Sequence, residues 1–169
     1  KQLSAAESLG SATVILMDKT GTLTEAKMEL VQVLSTSALQ KGHFKDGRPI
    51  VKLDAGQKDI LKVALMNTDV LIENPEAPSS EWEISGSHLE RNIVQAAAKH
   101  GIFLPQLRSR VLAALITPFS SVHKYSAAFI GRTEELVLAG NHTNTLSFLG
   151  APEVLLERSS ISKEDFIVL

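Results

Sequence analysis

The sequence predicts an α+β chain: a mostly antiparallel sheet flanked by helices, preceded by one strand of a different kind. Three observations carry that prediction. An unbroken apolar, β-branched run, Ala12-Thr13-Val14-Ile15-Leu16-Met17, closes on Asp18-Lys19-Thr20-Gly21, as a strand buried on both faces does before its chain leaves the sheet. Two capped amphipathic helices follow. From Arg110 onward the texture turns to short strands separated by turn residues, the pattern of antiparallel pairing.

Met28 to Leu34 is a weaker strand candidate, because its apolar positions do not alternate cleanly, and Gly42 to Pro49 reads as a polar turn. Asp54 followed by Gln57 forms a capping box, and Ile60, Leu61, Ala64 and Leu65 make one apolar stripe, so a helix is expected over about 55–67. Asn74 to Ser80, with Pro75 and Pro78, is a loop. Ser87 with Glu90 repeats the capping box, and Ile93, Val94, Ala97 and Ala98 continue at helical spacing until Gly101 stops the helix. Strands are expected at Val111 to Thr117, Tyr125 to Ile130, Glu135 to Ala139 and Thr143 to Phe148. Pro152 suits the first turn of a short closing helix. Trp82 reads as a strand anchor on the body.

At 169 residues the chain has room for one core, or a core and a small appendage, so the solitary front strand is odd. It is natural if residues 1–27 belong to one domain, of Rossmann-like type, and 28–169 form a second domain inserted after its first strand. Neither Lys1 to Gly10 nor the strand-like Phe166 to Leu169 has a finished look, so both ends read as continuing into something longer. With 17 Lys and Arg against 19 Asp and Glu, and no basic cluster, nothing marks an electrostatic footprint for nucleic acid. A composition that is 44% hydrophobic and 21% charged excludes disorder. The longest apolar runs fall far below the roughly 18 residues that cross a bilayer, so no membrane-inserted segment is expected. Zero cysteines exclude a disulfide framework and fit a reducing, cytoplasmic compartment. His43, His88, His100, His123 and His142 have no helical pairing and no thiolate company, so zinc has little support.

Asp18-Lys19-Thr20-Gly21-Thr22-Leu23-Thr24 is the stretch specific enough to name a family: it resembles the phosphorylation signature of P-type ATPases. A carboxylate at a strand end, followed by a glycine turn that offers amides to phosphoryl oxygens, suits attack on a terminal phosphate and formation of an aspartyl phosphate. The signature is shared with haloacid-dehalogenase-like phosphatases, whose second Asp, two residues after the nucleophile, is replaced here by Thr20. Threonine is no acid/base near neutrality, so the phosphoenzyme would persist, as a pump requires. The resemblance implies ATP and Mg²⁺ as cofactors, with the metal on Asp18 and the Thr20 main-chain carbonyl.

Three further segments extend it. Gly86-Ser87-His88-Leu89-Glu90 resembles a Gly-x-x-x-Glu segment of the family's nucleotide-binding domain, in which the Glu approaches adenine; capping alone explains Ser87 and Glu90 equally well. Pro118-Phe119-Ser120-Ser121-Val122-His123-Lys124 is similar to the Phe-Ser-x-x-x-Lys hairpin, in which the ring stacks on adenine and the Lys meets the phosphates; the bland reading makes Phe119 a core ring and Lys124 a solvated residue. Leu149-Gly150-Ala151-Pro152-Glu153 resembles Lys-Gly-Ala-Pro-Glu with its first residue changed, which removes one cation from the nucleotide cleft. The combination is similar to a bacterial subgroup described as cation-transporting ATPase E. The implied site is thus Asp18 as nucleophile, with Glu90, Phe119, Ser120, Lys124, Gly150 and Ala151 binding the nucleotide.

What the resemblance implies is the nucleotide-binding domain of a cation pump, a cytoplasmic domain of an integral protein of the bacterial plasma membrane, whose partners are ATP and the pump's phosphorylation, actuator and transmembrane domains. No Thr-Gly-Asp and no Gly-Asp-Gly-x-x-Asn-Asp follows, so Asp18 lacks the rest of its active site and the chain alone is expected to bind adenine nucleotides weakly without turning them over. The alternatives are a phosphatase fragment of the dehalogenase-like kind and a non-catalytic adenine-binding module.

Overall fold

A computed structural model of the chain describes residues 10–25, 29–35, 52–131 and 144–160. In order, the body consists of helix α1 (Ala55–Met66), strands β1 (Leu71–Ile72) and β2 (Ile84–Ser85), helices α2 (His88–Lys99) and α3 (Leu104–Arg110), strands β3 (Ala113–Thr117), β4 (Tyr125–Ile130) and β5 (Thr145–Gly150), and helix α4 (Pro152–Glu157). Strands β1 and β2 form a two-stranded antiparallel ribbon, and β3-β4-β5 a three-stranded antiparallel sheet. The architecture is α+β, as expected.

Both capping boxes form. The Asp54 side chain accepts from the Gln57 amide at 2.8 Å while the Gln57 side chain accepts from the Asp54 amide at 2.9 Å. Ser87 and Glu90 do the same at the start of α2. Gly101, at φ 74, closes α2 with the left-handed residue that a side chain would strain, and the Ile102 amide reaches back to the Ala97 carbonyl at 2.9 Å. The apolar stripes of the helices meet: Leu61 and Leu65 of α1, Ile93, Val94 and Ala97 of α2, and Leu104 and Leu107 of α3 join Val111 and Ile130 in one buried cluster. The inner face of the sheet lies on that cluster.

The structure departs from the sequence reading at several places. Ala12–Met17 is not a strand among the described residues, and its apolar side chains are open to solvent, Leu16 at 94%. A strand exists only through hydrogen bonds to a neighbour, and no described segment pairs with this one. Residues 29–34 also form no strand; they run as an irregular strap whose Val33 is buried. Helix α3 and the short β1–β2 ribbon were not anticipated. Trp82 sits just after a 3₁₀ turn (Ser79–Glu81) rather than in a strand; its indole Nε1 donates to the Ala77 carbonyl at 3.0 Å, and its ring meets the Phe103 ring edge-on. The expected strand at Glu135 to Ala139, the turn at Gly42 to Pro49, and both chain ends lie outside the described residues.

Candidate functional site

The site is built where β3 turns into β4 and β5 ends. Residues 118–124 connect the first two strands, and the register pairs Tyr125 with Gly150 and Ser126 with Leu149. Lys124 precedes β4 with a left-handed backbone, φ 60. That conformation is held from both sides: its amide donates to the Ser120 carbonyl at 2.6 Å and its carbonyl accepts from the Ala151 amide at 2.9 Å. The Ser120 hydroxyl in turn accepts from the Val122 amide at 3.2 Å, closing the turn. Gly150 is required here, because a Cβ would stand 2.5 Å from Tyr125 Cβ and 2.6 Å from Tyr125 Cα. Ser120, Lys124, Gly150 and Ala151 are therefore brought together through main-chain contacts.

Phe119 is on the same turn and is 56% exposed. An aromatic ring left in water on a turn pinned at both ends is available for stacking, and it is not a core ring. The Lys124 ammonium reaches Glu153, in the first turn of α4, at 3.7 Å. Next to it, Tyr125 packs edge-on against Phe148, with the Arg158 guanidinium 5.4 Å from its ring centroid. Neither Glu153 nor Arg158 was anticipated as part of this cluster. Their proximity depends on the β4–β5 register, which no local pattern reveals.

Leu149, where a lysine would carry charge, turns inward and packs against the hydrophobic core, while its carbonyl accepts from the Ser126 hydroxyl at 3.3 Å.

The Glu90 carboxylate makes hydrogen bonds within the fold. One carboxylate oxygen accepts from the Asp69 amide at 2.9 Å, and the other from the Ser87 hydroxyl at 2.6 Å and the Ser87 amide at 3.3 Å. The turn that carries Asp69 is itself gripped by Arg108, which donates to the Val70 and Thr68 carbonyls at 3.0 Å each. Burial of that guanidinium lowers the Arg108 pKa, and the Asp69 carboxylate pushes it back up. A cavity of about 340 Å³ lies beside this turn, lined by Thr68, Asp69, Arg108 and Leu115 among others. A second, of about 210 Å³, separates the 29–33 strap from α2; neither includes Phe119.

Asp18 lies before a single π-turn (Lys19–Leu23), whose Lys19 carbonyl accepts from the Thr24 amide and hydroxyl. Its carboxylate makes no capping bond and is exposed. Thr20 is inside that turn. Among the described residues no three His, Cys, Asp or Glu side chains converge on a metal position. One outward carboxylate suits Mg²⁺ that arrives already bound to phosphate, since that ion keeps few protein ligands.

An exposed Phe119, the Lys124 turn and the half-buried Gly150–Ala151 backbone thus meet at one end of the sheet. Residues 57–165 match the family described as P-type ATPase, cytoplasmic domain N. The chain belongs to that family. It is 33% identical over 157 residues to a plasma membrane-type calcium-transporting ATPase 10 of Arabidopsis thaliana, covering 92% of this chain and 14% of that protein. It is 27% identical over 165 residues to the sodium/potassium-transporting ATPase subunit alpha-A of Artemia franciscana, covering 95% and 16%. Against a calcium-transporting ATPase of Bacillus subtilis (strain 168) the identity is 26% over 169 residues, covering 95% and 18%. The chain thus spans less than a fifth of the length of each of these relatives. No described helix is long and apolar enough to cross a membrane.

Proposed function

We propose that residues 28–169 bind ATP for an ATP-driven cation pump and deliver its terminal phosphate to Asp18 in the segment 1–27. The observation that carries this reading is the exposed Phe119 ring on a turn anchored by Lys124 to Gly150–Ala151. Adenine stacks on that ring, an interaction worth about 1–3 kcal/mol per base. Lys124 then meets the phosphates as a point charge, Gly150 and Ala151 allow close approach of the backbone, and Ser120 holds the turn that carries them. Glu90, with three donors already on its carboxylate, retains about one lone-pair site for the adenine amino group.

In the transfer step a carboxylate oxygen of Asp18 bonds to the γ-phosphorus, the bond to the β,γ-bridging oxygen breaks, and ADP leaves. Mg²⁺, held by Asp18, the Thr20 carbonyl and the phosphates, would offset the charge gathered there. The chain's own part is positioning: it converts a bimolecular encounter into a directed one. Thr20 offers no general base to water, which favours a lasting phosphoenzyme that can bias transport states.

Calorimetric titration tests the reading. ATP is expected to bind weakly to the wild-type chain and at least about fivefold more weakly to F119A, in line with a lost stacking contact of about 1–3 kcal/mol. Equal affinity of the two would contradict it.

A further inference from the structure

Lys124 is the only non-glycine residue of left-handed backbone among those described, and the structure keeps it there with two main-chain bonds. A strained residue persists only where its surroundings over-determine it, and such residues gather at functional sites. Here the surroundings have a second effect. The Ala151 amide that holds the Lys124 carbonyl lies two residues before Glu153, so the segment that fixes the lysine backbone also brings a carboxylate to its ammonium, at 3.7 Å. The pair is water-exposed, 54% at Lys124 and 66% at Glu153, and such pairs are weak and separable.

We propose that Glu153 is an internal stand-in for phosphate: it occupies Lys124 in the ligand-free chain and is displaced when a polyphosphate binds. The proposal rests on the reading that Lys124 meets the nucleotide's phosphates. Binding is then an exchange of anions on one ammonium, and Glu153 acts as a specificity residue. A ligand of high charge displaces it, whereas a monophosphate competes poorly, so the site favours triphosphates over monophosphates beyond what Lys124 alone would give.

Calorimetry with ATP, adenosine and inorganic tripolyphosphate on the wild-type chain, E153Q, K124Q and the double variant tests this. E153Q should bind ATP and tripolyphosphate about two- to fivefold more tightly, the range set by a surface pair, and bind adenosine unchanged. In the K124Q background the gain should vanish. Unchanged or weaker tripolyphosphate binding by E153Q overturns the proposal, and so does a gain that persists undiminished with K124Q, which would be a general charge effect. Loss of adenosine binding by the wild-type chain, with the tripolyphosphate arm behaving as stated, would instead sink the purine-site reading and leave Glu153 its role. Because Glu153 is exposed, glutamine leaves the core intact; a circular dichroism spectrum matching wild type verifies that.

Discussion

The side-chain amide of Asn67 donates to the Ser147 hydroxyl at 2.8 Å across eighty residues of sequence, with both residues buried. Asn67 also donates to the Val63 carbonyl at 2.9 Å, and the Ser147 hydroxyl donates to the Ala128 carbonyl at 3.1 Å. This relay joins the end of α1 to β5 and β4, and so fixes the sheet that carries the Lys124 turn against the helices. The Asn67 side-chain Oδ1 has no hydrogen-bond partner among the described residues, so the relay is not fully satisfied there.

Removing it should cost more than a surface substitution. N67A is expected to destabilise the chain by about 1–3 kcal/mol, because Ser147 and the Val63 carbonyl lose a buried partner. S147A should cost less, and the double variant less than the sum. Urea unfolding of the three variants measures this; strictly additive losses would show that the two residues are uncoupled.

Gln57 offers a cleaner separation of roles. Its side-chain oxygen accepts the Asp54 amide, and its side-chain nitrogen donates to the Val33 carbonyl at 2.8 Å, latching the 29–35 strap to α1. Q57E keeps the acceptor and loses the donor. The helix cap should therefore survive while amide exchange over residues 30–35 accelerates about fivefold, which corresponds to a part-buried bond of about 1 kcal/mol. Unaltered exchange there would mean that burial of Val33 alone holds the strap. The neighbouring Glu29–Lys99 pair, at 3.6 Å and largely exposed, should add little.

Gly150 has no room for a methyl group. G150A is expected to push Tyr125 and the Lys124 carbonyl apart and to destabilise the chain by roughly 1–3 kcal/mol, as overpacking does. Thermal unfolding measures that loss. A wild-type melting temperature would show that the strand end adjusts freely.

Ser87 and Glu90 can be ranked by the bonds they make. S87A removes one cap and should cost about 1 kcal/mol. E90A also releases the Asp69 amide and should cost more. Chemical denaturation in which E90A is no worse than S87A would show that the tie to Asp69 carries no stability.

Both helix starts were legible because a capping box is a local pattern: Asp54 with Gln57, and Ser87 with Glu90, each close within one turn. Helix α3 was not, since its apolar content is one turn long, Leu104 and Leu107, and Pro105 looks like a loop residue. Strands β1 and β2, two residues each, are held by their neighbours rather than by any periodicity. Ala12–Met17 has the composition of a strand, and no described segment pairs with it. At the candidate site, the Phe119–Lys124 and Gly150–Glu153 segments stand out through their resemblance to the family's motifs. That Ala151 would hold Lys124, that Glu153 would pair with it, and that Arg158 would cover Tyr125 follow from the β4–β5 register, which sequence spacing leaves open.

The central claim is that the turn at Phe119 and Lys124 accepts a purine nucleotide. Heteronuclear NMR titration of the chain with ATP measures it most directly. The account predicts saturable shifts centred on Phe119, Lys124, Gly150 and Ala151, with residues of the α1–α2 core unmoved. Shifts confined to the cavity beside the 29–33 strap, or none at millimolar ATP, would contradict it.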